Sequence, residues 1–400
     1  MPGCCYASES EGLDRSHICI PENQKQLLEA VAQANENLVV VLSAGSVVET
    51  GWVSRCKAVL HAYLGGQAGA GAIMDVLTGR VNPSGKLAET LPLTYEDTPA
   101  ARYFPGKQQN VEYREGLYIG YRYYETAHVP VRYPFGYGLS YTTFAYSDLK
   151  ADADKVTFTI TNTGSRAGAE IAQLYVAKAD AAVFRPEKEL KGFAKVFLQA
   201  GECKTVTIPL DDKAFRYWNV KTDRWETEGG SYQLLVGASV QDIRLRAEVS
   251  VQGTGAPDPY VGKAVQCYRT ADIKNVPDAA FEALLGHAIP EDKPHIDQTM
   301  TLGELNHSRS PLGWLIWLVL TALLNASYKR GKPDLNVLFQ YNMPLRALAK
   351  MTSGAISMGM VDGIVMELQG FWIIGLVRVI VEAVKNLILN AQLEQRLRNS

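Results

Sequence analysis

No sign of charge dominates this 400-residue chain: 40 Lys and Arg stand against 42 Asp and Glu, leaving a formal net charge of −2. At the whole-chain level nothing recommends a nucleic acid or an anionic membrane as partner. Cys4, Cys5, Cys19, Cys56, Cys203 and Cys267 form no CxxC pair and no zinc-like spacing with histidine. Neither a disulfide framework nor a metal site is therefore indicated, no cofactor is implied, and a reducing compartment fits. No basic segment followed by an apolar run opens the chain, so no secretory signal is read and a cytoplasmic location is expected. The histidines, His17, His61, His128, His287, His295 and His307, are scattered at no ligand spacing, and only His17 stands near an acidic cluster. Gly65-Gly66-Gln67-Ala68-Gly69 lacks both the GxGxxG spacing and the Gly-Lys-Ser/Thr ending of a phosphate loop.

What is present is ordinary globular material, 47% hydrophobic and 20% charged. Its length suits two to four domains at roughly 100–200 residues each. Leu27, Leu28 and Val31 recur at helical spacing after Pro21, and residues 38–42 form a β-branched run typical of a buried parallel strand. Residues 58–64 read as a second strand, residues 67–78 as a helix with Ile73 and Val76 inward and Gly79 as its stop, and Leu87 to Leu91 as a third strand. Residues 93–140 are rich in Tyr, Pro and Gly without steady period and read as long ordered loops. From Thr142 the period becomes two, as in Val156, Phe158 and Ile160. About seven strands in some 110 residues suggest a fibronectin type III or immunoglobulin-like sandwich.

After the Gly-Thr-Gly-Ala-Pro-Asp linker at 253–258 the pattern turns helical. Leu312 to Ala326 is an apolar stretch of 15 residues, below the roughly 18–20 that a bilayer span needs. Asp362, Glu367, Arg378, Glu382 and Lys385 interrupt the later run, so an amphipathic helical subdomain is expected in preference to a transmembrane hairpin. Trp314, Trp317, Phe371 and Trp372 keep a membrane-surface helix as the second reading. The expected fold is thus multidomain, α/β plus all-β: a partial α/β-sandwich domain at 1–141, a fibronectin type III-like β-sandwich at 142–252, the linker, and an α-helical C-terminal extension at 259–400.

The residues most suggestive of chemistry are Glu9-Ser10-Glu11-Gly12-Leu13-Asp14-Arg15-Ser16. Two carboxylates two positions apart, then Gly and an Asp-Arg pair, suit a loop that presents one acid into a cleft while Asp14 and Arg15 brace it. A solvated acidic loop is the alternative. The stretches Glu9–Arg15, Ala62–Gly69, Asp75–Leu87, Tyr113–Tyr124 and Tyr133–Tyr141 are long, specific and in one order. Through them residues 9 to about 252 resemble the second half of a glycoside hydrolase family 3 enzyme of β-glucosidase type. The tail from 258 is similar to C-terminal extensions of some bacterial members, with weaker motifs.

The resemblance implies a retaining hydrolase of β-linked glycosides working through two carboxylates, a nucleophile and a general acid/base. Glu11 matches the family's acid/base position in its Ser-Glu-Gly setting. It needs a raised pKa, to which Glu9 is a candidate neighbour. The family's nucleophile is an Asp in a Ser-Asp-Trp-like motif on an N-terminal (β/α)8 barrel, and no such motif stands here. The expectation is therefore a truncated gene product or one piece of a split enzyme, of little activity alone, with a barrel-containing partner chain and a β-glycoside substrate. The runner-up is a noncatalytic carbohydrate-binding or scaffolding protein, membrane-surface associated through its helical tail. The sugar is not selected by these residues, although the resemblance leans to β-glucosides.

Overall fold

A computed structural model describes residues 15–106, 110–291, 295–330 and 334–399. The chain folds into two compact units, one containing His17–Phe104 and Val111–Pro290, the other containing Glu291–Ser400.

The first unit opens with α1 (Glu22–Ala34), β1 (Val39–Leu42), β2 (Ala58–His61) and α2 (Gly69–Leu77). β1 and β2 pair in parallel, Val39 opposite Ala58 through Leu42 opposite His61. Ile20, Leu42, Ala44 and Val48 form the small core beneath them. α2 ends where Gly79 takes a φ of +72°. The third strand expected at Leu87 to Leu91 does not join this sheet. Leu87 instead exchanges backbone hydrogen bonds with Gly136 and Tyr137, and only Leu91–Pro92 (β3) is extended, pairing antiparallel with β4 (Val131–Tyr133). The reason is a tertiary partner: the Pro-Phe-Gly-Tyr-Gly loop claims the Leu87 backbone that a parallel neighbour would have used.

Between β3 and β4 lies α3 (Tyr121–Thr126). The sandwich follows as β5 (Phe144–Ala151), β6 (Lys155–Asn162), β7 (Gly168–Ala177), β8 (Lys188–Leu198), β9 (Cys203–Pro209), β10 (Arg216–Asn219), β11 (Arg224–Thr227), β12 (Gly230–Gly237) and β13 (Ile243–Val251). A three-stranded sheet, β5-β6-β9, and a four-stranded sheet, β13-β12-β7-β8, supply its two layers, with β10-β11 as a separate hairpin. β6 shows why: Val156, Phe158, Ile160 and Asn162 are buried while the residues between them are not. That is the alternation of a strand with one face on a core.

Asn162 is the polar end of that inward row. Its side-chain amide donates to the carbonyls of Arg166 and Leu198, and its oxygen accepts from Thr142 Oγ1 and Gly164 N. A fully buried amide is tolerable because its hydrogen-bonding capacity is used.

The tyrosine-rich loops join the α/β portion to the sandwich. Tyr121 accepts from the Leu190 amide at 2.8 Å, and Gln173 of β7 donates to the carbonyls of Gly136 and Ala238. Gly136 must be glycine there, having a φ of +78° and no room for a Cβ beside the Gln173 side chain. The Lys86–Glu170 and Lys188–Glu125 pairs, at 3.2 and 3.0 Å, are largely buried in the same seam.

Residues 259–290, expected with the helical extension, belong instead to this first unit. They carry α4 (Gln266–Arg269) and α5 (Asp278–Leu285). Tyr268, Ile273 and Phe281 pack with Tyr118, Tyr123 and Tyr124 in one aromatic cluster. The buried Tyr118 hydroxyl donates to the Tyr268 carbonyl, and Tyr268 donates to Arg114 O at 3.0 Å. A short segment without its own core is thus recruited by tyrosines some 150 residues earlier.

The second unit contains α6 (Pro311–Lys329), α7 (Leu335–Tyr341), α8 (Ala347–Met351), α9 (Met358–Leu368) and α10 (Trp372–Asn399) around a core of Met300, Leu305, Leu345, Val361, Val365 and Leu368. α6 has 19 residues, and is long and apolar enough to cross a membrane. This corrects the shorter run read from the sequence: the helix begins at Pro311, capped by Ser310 Oγ accepting from Gly313 N, and continues through polar Ser327 to Lys329.

Candidate functional site

In open parallel α/β sheets ligands approach the carboxyl ends of the strands. Here those ends are Leu42 and His61, and the side chains gathered beside them are Ser43, His61, Tyr63 and Glu89. The Ala62 amide donates to Leu42 O at 2.8 Å, continuing the ladder one residue beyond β2. Tyr63 then turns into the left-handed region, φ +47°, unusual for a residue with a large side chain. Its ring stacks on His61, centroids 3.8 Å apart and planes 19° from parallel. Its amide donates to His61 Nδ1 at 3.4 Å, and its carbonyl accepts from Ser43 Oγ at 2.9 Å. Gly66 follows at φ +63°. A Cβ on Gly65 would stand 3.1 Å from Gly69 Cα, so the glycines permit the tight entry into α2.

Burial raises the Glu89 pKa, against Tyr63, which lowers it. The Tyr63 hydroxyl is pushed up to about 12, by burial first and then by the Glu89 charge. Among described carboxyls displaced from their ordinary range, Glu89 alone moves upward. An upward shift is the direction that proton donation requires of a carboxyl, and such perturbed groups concentrate at functional sites.

Burial, the larger influence, lowers the His61 pKa from 6.5, while a hydrogen bond with the Leu42 backbone opposes it. The unfolded chain therefore takes up a proton near pH 6.5 that folded His61 resists. Stability from this group is full above pH 6.5 and declines as pH falls below it. Glu89 acts in the opposite sense, losing stability as pH rises from 4.5 through its raised value. Urea unfolding of wild type and His61→Asn from about pH 7 to about pH 5 separates the two. The wild type is expected to lose more stability on acidification than the variant.

The segment entering this edge is fixed by Ile18 and Ile20, both buried. Ile18 O accepts from Glu49 N at 2.7 Å, and Cys19 Sγ lies 3.3 Å from Glu49 Oε2. The chain immediately after the Glu9–Ser16 cluster is thereby tied to the loop after β1. Glu11 and Glu9 themselves lie outside the described residues. His17, the histidine singled out beside them, accepts from the Cys19 amide at 3.3 Å, a local loop contact. Sequence patterns assigned no role to His61, Tyr63 or Glu89. The available signal was the Ala62–Gly69 stretch itself, whose glycines mark a backbone turn at the end of a strand. Among the described residues no group of three or more His, Cys, Asp or Glu is arranged to hold a metal ion.

Comparison with known proteins agrees with this architecture. Residues 3–141 match the glycosyl hydrolase family 3 C-terminal domain, and residues 170–240 a fibronectin type III-like domain. The chain is 52% identical over 254 residues to thermostable beta-glucosidase B of Acetivibrio thermocellus, covering 62% of this chain and 34% of that protein. It is 48% identical over 312 residues to an exo-alpha-(1->6)-L-arabinopyranosidase of Bifidobacterium breve, covering 72% of this chain and 41% of the relative. The crystal structure of a Bifidobacterium adolescentis GH3 beta-glucosidase superposes with a TM-score of 0.62 at 41% identity, over 79% of this chain and 42% of that one. The latter two matches cover more of the chain than residues 1–252 could supply, so part of the segment beyond the sandwich is shared as well. The chain spans between about a third and about two fifths of the length of these relatives. With both domains in order, this chain carries the C-terminal portion of the glycoside hydrolase family 3 architecture.

Proposed function

We propose that this chain is the acid/base-bearing half of a retaining glycosidase acting on β-linked glycosides, with Glu11 as general acid/base. The observation that carries the reading is the pairing of the family 3 match over residues 3–141 with the anchoring of the Ile18 backbone beside the carboxyl end of β1. That anchoring holds Ile18, which follows Glu11 by seven positions in the sequence, at the edge where an α/β sheet receives ligands. Retention needs a second carboxylate as nucleophile. In this reading it comes from a barrel domain carried on another polypeptide or on a further segment of the same one. The mechanism has Glu11 protonating the departing oxygen while the nucleophile attacks the anomeric carbon. Glu11 then deprotonates the water that hydrolyses the glycosyl-enzyme. The proposed cellular setting is the cytoplasm.

The test supplies the missing half. Mixing or fusing the chain with a family 3 barrel domain is expected to produce turnover of an aryl β-glucoside that neither part shows alone. Comparable turnover by the 400-residue chain alone would overturn the division of carboxylates.

A second reading, a noncatalytic glycan-binding protein, is favoured by one observation. Trp218 and Trp225 face each other across the β10-β11 hairpin, 45% and 57% exposed, with ring centroids 5.5 Å apart. Exposed indoles can stack on sugar faces. Glycan binding that survives Glu11→Gln and disappears in Trp225→Ala identifies this alternative.

A further inference from the structure

In the second unit, α6 is apolar on nearly every side and yet is not a core helix. Only 17% of its apolar window is buried. Leu312, Trp314, Leu315, Leu318, Val319 and Leu323 are all exposed, and at 100° per residue they sweep roughly 200° of the circumference. The buried side is narrow, made by Gly313, Leu324 and Ser327, with Trp317 reaching the unit's core. A helix apolar all round belongs in a large protein core or in lipid, and here the core is lacking.

α10 adds a second surface of the same kind. Ile373, Val377, Ile380, Val384 and Leu387 are exposed along one stripe, uninterrupted by charge because Arg378, Glu382 and Lys385 lie off it. Its opposite side packs on α9 so closely that a Cβ on Gly375 would come 2.6 Å from Gly363 O. Gly359 and Gly363 are spaced four apart, as in helix pairs that meet backbone to backbone in membranes. Polar side chains of α10 are engaged away from the stripe: Arg378 pairs with Asp362 of α9 at 2.7 Å, and Asn386 and Asn390 donate to the carbonyl of Gly354, in the turn that precedes α9.

We propose that this C-terminal unit docks on a lipid bilayer through α6 and the exposed stripe of α10. Three features favour lipid over a protein partner. A bilayer covers a 200° apolar surface without having to wrap it. Over its 19 residues, roughly 28 Å at about 1.5 Å each, α6 offers that apolar surface along its length, as helices lying in the interface plane do. The helix ends carry what interfaces hold: Trp314 and Trp317 near one, Tyr328, Lys329 and Arg330 at the other. Arg396 and Arg398 add cationic charge in the last turn of α10, where anionic headgroups would strengthen attachment. The proposal does not depend on the glycosidase reading, and its test involves no activity.

The test is flotation of the purified 400-residue chain with vesicles of phosphatidylcholine, alone or mixed with phosphatidylglycerol. The chain is expected to float with both, and more completely with the anionic mixture. Leu315→Glu combined with Leu323→Glu, both solvent-facing, is expected to lower the bound fraction by at least about tenfold while leaving the urea transition unchanged. Val377→Glu with Val384→Glu provides an independent second variant on α10. A chain that stays at the bottom of the gradient with both vesicle types overturns the proposal. So does a stable lipid-free dimer, measured by light scattering, that either double variant dissociates, because a second copy would then be the occupant.

Discussion

Glu11→Gln is expected to lower turnover by about 10²–10⁴-fold in the enzyme reconstituted with a barrel domain. Glutamine keeps the size and hydrogen-bonding shape of glutamate but can neither deliver a proton to the departing oxygen nor remove one from water. The loss should be greatest for an alkyl β-glucoside, whose alkoxide leaves poorly without protonation, and smaller for an activated aryl glycoside. For the aryl substrate the surviving slow step is hydrolysis of the glycosyl-enzyme, which a small anion such as azide should bypass as an alternative nucleophile. Measuring kcat and kcat/KM for both substrates with and without azide checks this: the azide effect belongs in kcat, which contains glycosyl-enzyme hydrolysis, and the substrate-dependent loss in kcat/KM, which contains departure of the leaving group. A uniform loss below tenfold, without azide rescue, would remove Glu11 from the role. A similar loss in Glu89→Gln would shift attention to the described carboxyl whose pKa is raised.

The second large effect concerns the sandwich. Phe158 is fully buried at the centre of β6, opposite Val206 of β9 and stacked with Tyr146 at 6.1 Å and 10°. Phe158→Ala is expected to cost about 3–5 kcal/mol, from lost transfer energy together with the cavity that the surrounding strands cannot close. Against a stability of about 5–15 kcal/mol for an ordinary domain, that is a large fraction. Urea unfolding should show a lower midpoint at an unchanged slope. An unchanged midpoint would mean that the two layers repack freely, contrary to the alternation seen along β6. Because Lys86–Glu170, Lys188–Glu125 and the Gln173 bonds tie sandwich to α/β portion, the loss should also be felt by probes near His61.

Much of the architecture was legible because local patterns and local structure coincide. The run at 38–42, the alternation at 156–160 and the Gly79 boundary each specify an element through residues within a few positions of one another. The Glu11 proposal rests on another kind of signal, stretches long enough to mark a family, and Glu11 itself lies outside the described residues. Where the local patterns misled, a distant partner had intervened. Leu87 left the parallel sheet because Gly136 and Tyr137 hold its backbone. Residues 259–290 left the helical tail because Tyr118 and its neighbours form their core.

That an α/β segment, a β-sandwich and a helical tail occur in that order was already written in the residues. Hydrophobic period and turn residues are short-range properties that survive in any context. The family was written there too, since the matching motifs are contiguous. It took long-range folding to bring His61, Tyr63 and Glu89 to one edge. Glu89 comes from a loop 26 positions beyond Tyr63, and neither its raised pKa nor the Tyr63 backbone strain is a property of adjacent residues. Long-range packing, likewise, left α6 and one side of α10 uncovered. An apolar helix reads the same in sequence whether it is buried or bare, and the difference is set by how much protein packs around it.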